Sequence, residues 1–201
     1  MAYVKQAFDV TSLSDAMNVV LTSEQGKPDK FYNETQFLID LLAKQNIITS
    51  ESLVLDFGCG MGRVSKKLIE EFQCSVIGVD ISDSMLSFAK VYTNDDRFNP
   101  FNSYTSKETI DVCISTFVLQ HTENPLYEIE NICNVLKPGG YFVLVNEPYR
   151  LVPIDVDRNR FVIWNDDKFD VFGEVSSRLK KISSVQYMST HVDVIIYRKE
   201  I

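Results

Sequence analysis

Apolar positions along the chain change their period several times, and each change predicts an element. In FYNETQFLIDLLAKQNI, Phe37, Leu38, Leu41 and Leu42 recur at helical spacing, the clearer of two polar-interrupted helical patterns within residues 1–51. From Leu53 the character changes. SLVLDF is a short apolar run without alternation, as expected of a strand buried on both faces of a parallel sheet. GRVSKKLIEEF then places Val64, Leu68 and Phe72 four apart on one helical face. SVIGVDIS reads as a second buried strand, and Ser82 caps the helix DSMLSFAKVY, with Met85, Leu86 and Ala89 facing inward.

The stretch NDDRFNPFNSYTSKET leaves room only for a short third strand, and IDVCISTFV is again a clean apolar strand. Asn124-Pro125 is a cap followed by proline at the first helical position. It opens NPLYEIENICNVL, whose expected buried stripe is Leu126, Ile129, Cys133 and Leu136. Lys137-Pro138-Gly139-Gly140 ends that helix, and YFVLVNE is the next strand. An irregular segment runs to about Asn165, KFDVFGEVSSRLKKI reads as helical, and SVQYMS and HVDVIIYRK read as two final strands. Alternating strands and helices predict an α/β sandwich with a mostly parallel sheet.

A chain of 201 residues suits one domain with a small attachment. The expected division is a helical cap over residues 1–51 and a core over residues 52–201. The formal charge of −8 argues against a partner held by its phosphate backbone. The clearest basic clusters, Lys66-Lys67 and Arg178 to Lys181, read as solvated helix faces. The four cysteines form no C-x-x-C pair and have no histidine at zinc spacing, which predicts free thiols and no metal site. The amino terminus lacks a signal-peptide pattern, and no apolar run approaches the roughly 20 residues of a membrane helix. A soluble, cytoplasmic protein without a membrane partner is expected. Nothing in the pattern fixes an oligomeric state.

The candidate chemistry sits where the first strand meets its helix. Gly58, Gly60 and Gly62 occupy that turn, which in an open α/β sheet is the ligand-binding end. Glycine there permits positive φ and close approach of a ligand, and the following helix start favours an anion. Asp80 ends the second strand, where a carboxylate can accept both hydroxyls of an adenosine ribose. The spacing is G-x-G-x-G, not the G-x-G-x-x-G of dinucleotide sites. Asp56, just before the turn, would repel a pyrophosphate and suits an ammonium group. Ribose, ammonium and carboxylate together describe S-adenosylmethionine.

With VLDFGCGMGRVSKKL, IGVDISDSMLSFAK, IDVCISTFVLQHTENP and VLKPGGYFVLVNEP in that order, the chain resembles the class I S-adenosylmethionine-dependent methyltransferases. The likeness is greatest to the group acting mainly on small molecules, and it covers about residues 53 to 148. The resemblance implies a Rossmann-like three-layer sandwich with a seven-stranded, mostly parallel sheet whose last strand is antiparallel. It implies that Gly58, Gly60 and Gly62 pass under the methionine moiety, with Asp56 near its amino group. Asp80 then holds the ribose and Ile81 packs on adenine, while Thr116 and Phe117 lie beside the methionine end. Cys59 joins the turn. The family's usual acidic pattern for the adenine amino group is missing, and Asn102 or Ser103 stands in its place. S-adenosyl-L-homocysteine is the implied product.

Methyl transfer from a sulfonium asks mainly for alignment and exclusion of water. A hydroxyl acceptor also asks for a base, for which His121 and Glu147 are the candidates. Tyr149 and Arg150 can join Glu147 on the acceptor side, and His191 reads as structural. Trp164 and Phe161 either wall an acceptor pocket or belong to the core. The D/N-P-P-Y/F run of DNA amino-methyltransferases, the Pro-Cys nucleophile of cytosine carbon methylation, the paired-glutamate loop of arginine methyltransferases and a catechol-type metal set are all absent. A small or carrier-linked acceptor methylated on O or N is expected, with no nucleic acid. A non-catalytic regulator or partner subunit that binds the nucleoside is the alternative, and a nicotinamide oxidoreductase is disfavoured by the glycine spacing.

Overall fold

Strands form wherever the apolar runs lie between turn residues, and their pairing fixes what the sequence left open. The structure, a computed structural model, describes residues 3–21, 28–101, 104, 106–156, 162–188 and 191–201. Its seven-stranded sheet has the order β3-β2-β1-β4-β5-β9-β8. β1/β2, β2/β3 and β4/β5 pair in parallel, whereas β9 is antiparallel to both β5 and β8. This is the expected Rossmann-like α/β architecture, with its last strand antiparallel. The chain divides into two compact units, one spanning Phe8–Tyr104 and the other made by the rest.

The amino-terminal unit contains α1 (Leu13–Leu21), α2 (Pro28–Gln45), β1 (Leu53–Phe57), α3 (Arg63–Phe72), β2 (Ser75–Val79), α4 (Asp83–Thr93) and β3 (Phe98–Phe101). Val64 and Leu68 of α3 and Met85, Leu86 and Ala89 of α4 are buried as expected, while Phe72 is only half-buried. Ser82 caps α4 by accepting from Met85 N. β3 carries Pro100 without harm because it is an edge strand. Arg97 O accepts from Val76 N, so backbone alternation turns Phe98 and Pro100 away from β2. Phe98 N–H is spent on Asp95 O at 3.1 Å and proline has none, leaving no unspent donor on that outer edge over residues 98–100.

The carboxy-terminal unit contains β4 (Ile110–Thr116), a 3-10 turn (Leu119–His121), α5 (Pro125–Val135), β5 (Leu136–Val145), β6 (Arg150–Val156), β7 (Val162–Asp167), α6 (Val171–Ser176), β8 (Lys180–Gln186) and β9 (Asp193–Arg198). Asn124 caps α5 by accepting from Tyr127 N. The stripe of α5 differs from the expected one: Ile129, Ile132 and Val135 are buried, Leu126 is exposed and Cys133 half-buried. Leu136 is buried too, but already as the first residue of β5. No loop separates the elements, and Lys199 Nζ closes the helix by donating to Cys133 O and Leu136 O at 2.9 and 2.8 Å. Lys137 to Gly140 therefore belongs to β5, and a Cβ on Gly140 would lie 3.0 Å from the Asp111 carbonyl, so glycine is what lets the strand pass β4 there.

Two further segments differ from expectation. Residues 150–167, read as irregular, contain the antiparallel pair β6/β7, whose alternation is masked by a register shift between Pro153 and Asp155. The long helix expected over KFDVFGEVSSRLKKI is confined to Val171–Ser176, and Lys180 already starts β8. Pairing with the apolar β9 overrides the helical propensity of that stretch. All four cysteines are free thiols. No described helix is long and apolar enough to cross a membrane.

Candidate functional site

β1 delivers the chain to the glycine turn, where Gly58, Gly60 and Gly62 have φ of 75°, 51° and 83°. Gly58 N and Cys59 N both donate to Val79 O, at 2.7 and 3.0 Å, tying the turn to the end of β2. Two residues inside the motif anchor it from below. Met61 is fully buried with Val10, Ala16 and Met85, while the Cys59 side chain packs over β2. A Cβ on Gly78 would lie 2.9 Å from Cys59 Sγ and 2.6 Å from the Phe98 ring, so β2 needs glycine where the thiol packs. Burial pushes the Cys59 thiol up, and the charges of Asp56 and Asp80 add to this. It is a packing group. Gly62 has its own reason: a Cβ there would lie 2.6 Å from Thr93 Oγ1 and 3.3 Å from Ala89 Cβ of α4.

The two carboxylates of this unit are placed differently. Asp80 Oδ2 accepts from Gly60 N at 2.9 Å and Oδ1 accepts from Ser82 N at 2.9 Å, so one side chain joins the glycine turn to the start of α4. The residue is half-buried. Ile81, beside it, is 42% exposed, an apolar surface next to a hydrogen-bonding one. Asp56 is only 1% exposed, and its Oδ2 accepts from both Ser65 N at 3.1 Å and Ser65 Oγ at 2.6 Å. Burial pushes Asp56 up to about 6, against the Ser65 bonds and the Arg63 charge. Asp56 thus lies in the interior, bonded to α3.

Arg63, the first residue of α3, is buried, with Nη1 donating to Thr35 Oγ1 at 2.9 Å and lying 3.8 Å from Glu34 Oε2. α2 thereby holds the residue that follows the last glycine. Ser82 Oγ donates to Asp9 Oδ1 at 3.0 Å, and Val10 N donates to Ser84 Oγ at 2.9 Å, so the segment before α1 is tied to the start of α4. The Phe57 and Tyr104 rings stack with centroids 5.8 Å apart. Asn102 and Ser103 lie outside the described residues.

In the carboxy-terminal unit, the ends of β4 and β5 carry the remaining candidates. Thr116 ends β4, and Phe117 follows with φ of 57°, its N–H donating to Val145 O at 2.7 Å and its ring edge-on to the buried Tyr187. Gln120 and Asn146, which the sequence did not single out, then clamp the loops together. Gln120 N donates to Asn146 Oδ1 at 3.1 Å, Glu147 N donates to Gln120 Oε1 at 2.7 Å, and Asn146 Nδ2 donates to Glu147 O at 2.8 Å. Glu147 Oε2 lies 2.8 Å from His191 Nε2.

His121 is held at both ring nitrogens, Nδ1 at 2.7 Å from Leu151 O and Nε2 at 3.1 Å from Gln120 Nε2. Burial holds its pKa below the ordinary value. Its ring lies 5.0 Å from Trp164 of β7, which is 39% exposed and not a core residue. Arg150 is buried, donating from Nη2 to Thr122 O and placing its guanidinium over the Phe169 ring. Tyr149 is exposed. Phe161 lies outside the described residues. His121 and Arg150 therefore fasten the β6/β7 hairpin to the loop after β4.

Residues 55–144 match the model of the methyltransferase domain. Over that segment the chain belongs to the class I S-adenosylmethionine-dependent methyltransferases. It is 28% identical over 116 residues to a ubiquinone biosynthesis O-methyltransferase of Coxiella burnetii, covering 53% of this chain and 49% of that protein. It is 31% identical over 163 residues to the tRNA N(3)-methylcytidine methyltransferase of Schizosaccharomyces pombe, covering 67% and 64%. The chain thus spans less than two thirds of the length of either curated relative. In fold it is similar to a chain from the Haloferax volcanii complex of the Trm112 methyltransferase activator with a methyltransferase. There the TM-score is 0.70 at 14% identity, over 96% of this chain and 100% of that one.

The residues present fit the family's methyl donor. Three positive-φ glycines make a cradle at the end of β1, the half-buried Asp80 presents a carboxylate of the kind that ribose hydroxyls donate to, and Ile81 offers an apolar face for a base.

Proposed function

We propose that the protein transfers a methyl group from S-adenosylmethionine to an oxygen or nitrogen of a small or carrier-linked acceptor. The observation that carries this reading is the joining of Gly60 N and Ser82 N by the Asp80 carboxylate, which ties the glycine cradle to the start of α4 where a nucleoside would lie. When bound, S-adenosylmethionine supplies a methyl group on a sulfonium sulfur, an already activated leaving group. Asp80 holds the ribose and Ile81 the adenine face, while Gly58, Cys59, Gly60 and Gly62 carry the methionine moiety along the turn. Asn102 remains the candidate for the adenine amino group.

Asp56 acts in this reading from beneath the turn, as a buried negative charge that favours the donor's ammonium, since its Oδ2 is already spent on Ser65. Residues 1–51 act as a cap: Thr35 and Glu34 position Arg63 directly after the turn, and Val10 packs on Met61 inside it. The net charge of −8 favours a small acceptor over RNA. The tRNA-modifying relative makes RNA the competing class in any acceptor screen.

Calorimetric titration with S-adenosylhomocysteine tests this. Asp80→Asn keeps an acceptor for one backbone N–H but loses the charge, and binding is expected to weaken by about 1.5–3 kcal/mol, the scale of hydrogen bonds to a charged group. Absence of binding to the wild-type protein would refute the reading. Equal affinity in wild type and variant would move the ribose away from Asp80.

A further inference from the structure

We propose that the cleft between α2, α3 and α4 is a second ligand site, for a small organic anion: a phosphate or carboxylate carried on a compact aromatic body. The cleft has a volume of about 300 Å³, at the lower end of the range for small-molecule sites. Its walls are Tyr32, Thr35 and Gln36 of α2, Arg63 and Lys67 of α3, and Tyr92 in the last turn of α4. All of them lie within the amino-terminal unit, and none is assigned to the methyl donor. The proposal therefore goes beyond the methyltransferase reading and does not depend on it.

Helical spacing brings the polar groups to one front. Tyr32, Thr35 and Gln36 stand three and four apart on one face of α2, and Arg63 and Lys67 stand four apart on one face of α3. Two cations line the cleft and no carboxylate does, in a chain whose formal charge is −8. Each cation has a carboxylate partner set outside the lining. Glu34 Oε2 lies 3.8 Å from Arg63 Nη1, which also donates to Thr35 Oγ1, and Glu70 Oε2 accepts from Lys67 Nζ at 2.7 Å. Arg63 is buried and so held in place, whereas Lys67 and Glu70 are both exposed, and an exposed pair costs little to exchange for an anion in the cleft. An arginine fork beside a mobile ammonium is a pairing that suits phosphate and carboxylate oxygens.

The tyrosines select the rest of the ligand. Tyr32 is 52% exposed, a large ring standing open beside the two cations, and Tyr92 is half-buried with Lys66 Nζ 5.6 Å from its ring centroid. Burial raises the Tyr92 pKa above its ordinary value and the nearby Tyr32 phenol adds to this, so Tyr92 keeps an O–H that can donate to an anion. An inorganic ion would use the cation wall alone, whereas an aromatic anion also covers the phenol rings. The Lys66-Lys67 pair, expected to be a solvated helix face, is thus divided between the Tyr92 ring and the cleft. Arg63 directly follows Gly62, so the carboxylate of the methyl donor is the competitor that a test must separate.

Nitrogen–proton spectra of the whole chain, saturated with S-adenosylhomocysteine at constant ionic strength, are titrated with phenyl phosphate, benzoate, inorganic phosphate and phenol. Phenyl phosphate or benzoate is expected to give saturable shifts centred on Tyr32, Arg63, Lys67 and Tyr92, with affinity about tenfold above that of inorganic phosphate or phenol. The tighter of the two aromatic anions assigns the head group. Lys67→Gln alters an exposed side chain and is expected to weaken that binding about tenfold while S-adenosylhomocysteine affinity stays unchanged. Tyr32→Ala should bring the aromatic anions down to the level of inorganic phosphate. Absence of saturable shifts, equal binding of inorganic phosphate or phenol, or undiminished affinity in Lys67→Gln overturns the proposal. Binding that appears only without S-adenosylhomocysteine overturns it too, because the cleft would then belong to the donor. If S-adenosylhomocysteine itself does not bind, the methyl-transfer reading fails alone, and the same titrations of the unliganded chain decide the cleft.

Discussion

In the turn after β1 the fixed points are main-chain groups. Val79 O receives two consecutive N–H groups, Asp80 receives two more, and each glycine takes a backbone conformation that side chains resist. In the loops after β4 and β5 the fixed points are side chains: the Gln120 and Asn146 amides, the His121 ring and the Arg150 guanidinium. The first construction tolerates many neighbouring sequences and suits a ligand common to a whole family. The second changes with each substitution, which suits a group that differs from one acceptor to the next.

The largest effect expected from breaking this comparison lies in the turn. Gly62→Ala forces a Cβ to within 2.6 Å of Thr93 Oγ1 at a φ of 83°, combining overpacking with backbone strain. A loss of about 2–4 kcal/mol in denaturant unfolding is expected. Gly139→Ala is the control: its φ is 80°, but the nearest atom to a Cβ is the end of the Arg198 side chain at 3.6 Å. Only the strain remains there, on the order of 1 kcal/mol. Equal losses in the two variants would show that contact with α4 contributes nothing and that conformation alone explains the glycine.

A smaller loss is expected in the other half. Gln120→Ala removes the buried amide that accepts from the Glu147 N–H and donates to His121 Nε2. The cost should be about 1–3 kcal/mol, and His121 should lose its single tautomer. If stability falls while the His121 tautomer stays fixed, Leu151 O alone holds the ring and the clamp is weaker than its geometry suggests.

The difference between the halves also explains what could be read from the sequence. Asp56 and Ser65 are 9 residues apart and Gly60 and Asp80 are 20 apart, within one strand–helix–strand unit whose register follows from local pattern. Glu147 is 27 residues from Gln120 and 44 from His191, and His121 is 30 from Leu151. Those meetings depend on the order of strands and on a hairpin that Pro153 and a register shift concealed. His191 read as structural from its place before the last strand, and its pairing with Glu147 was not legible there. Asp56 was legible as an acidic residue before the turn, whereas its burial and its bonds to Ser65 were not.

That burial yields the most specific expectation. Asp56 has an ordinary value of 3.8 and is raised to about 6 in the fold, so the folded chain holds a proton there that the unfolded chain has released between those two values. Its contribution to stability is fully present below about 3.8, declines as pH rises through the window, and is gone above about 6. Asp56→Asn keeps an acceptor for Ser65 N and Oγ but cannot ionise. Relative to wild type it should therefore gain stability as pH rises from acid to neutral, by about 3 kcal/mol for a shift from 3.8 to about 6, beside a cost for the new amide N–H groups that does not change with pH. Unfolding midpoints of both proteins across that range measure the difference directly. A gap that stays constant with pH would mean that Asp56 is charged throughout, and that Ser65 and Arg63 outweigh the cost of burying it.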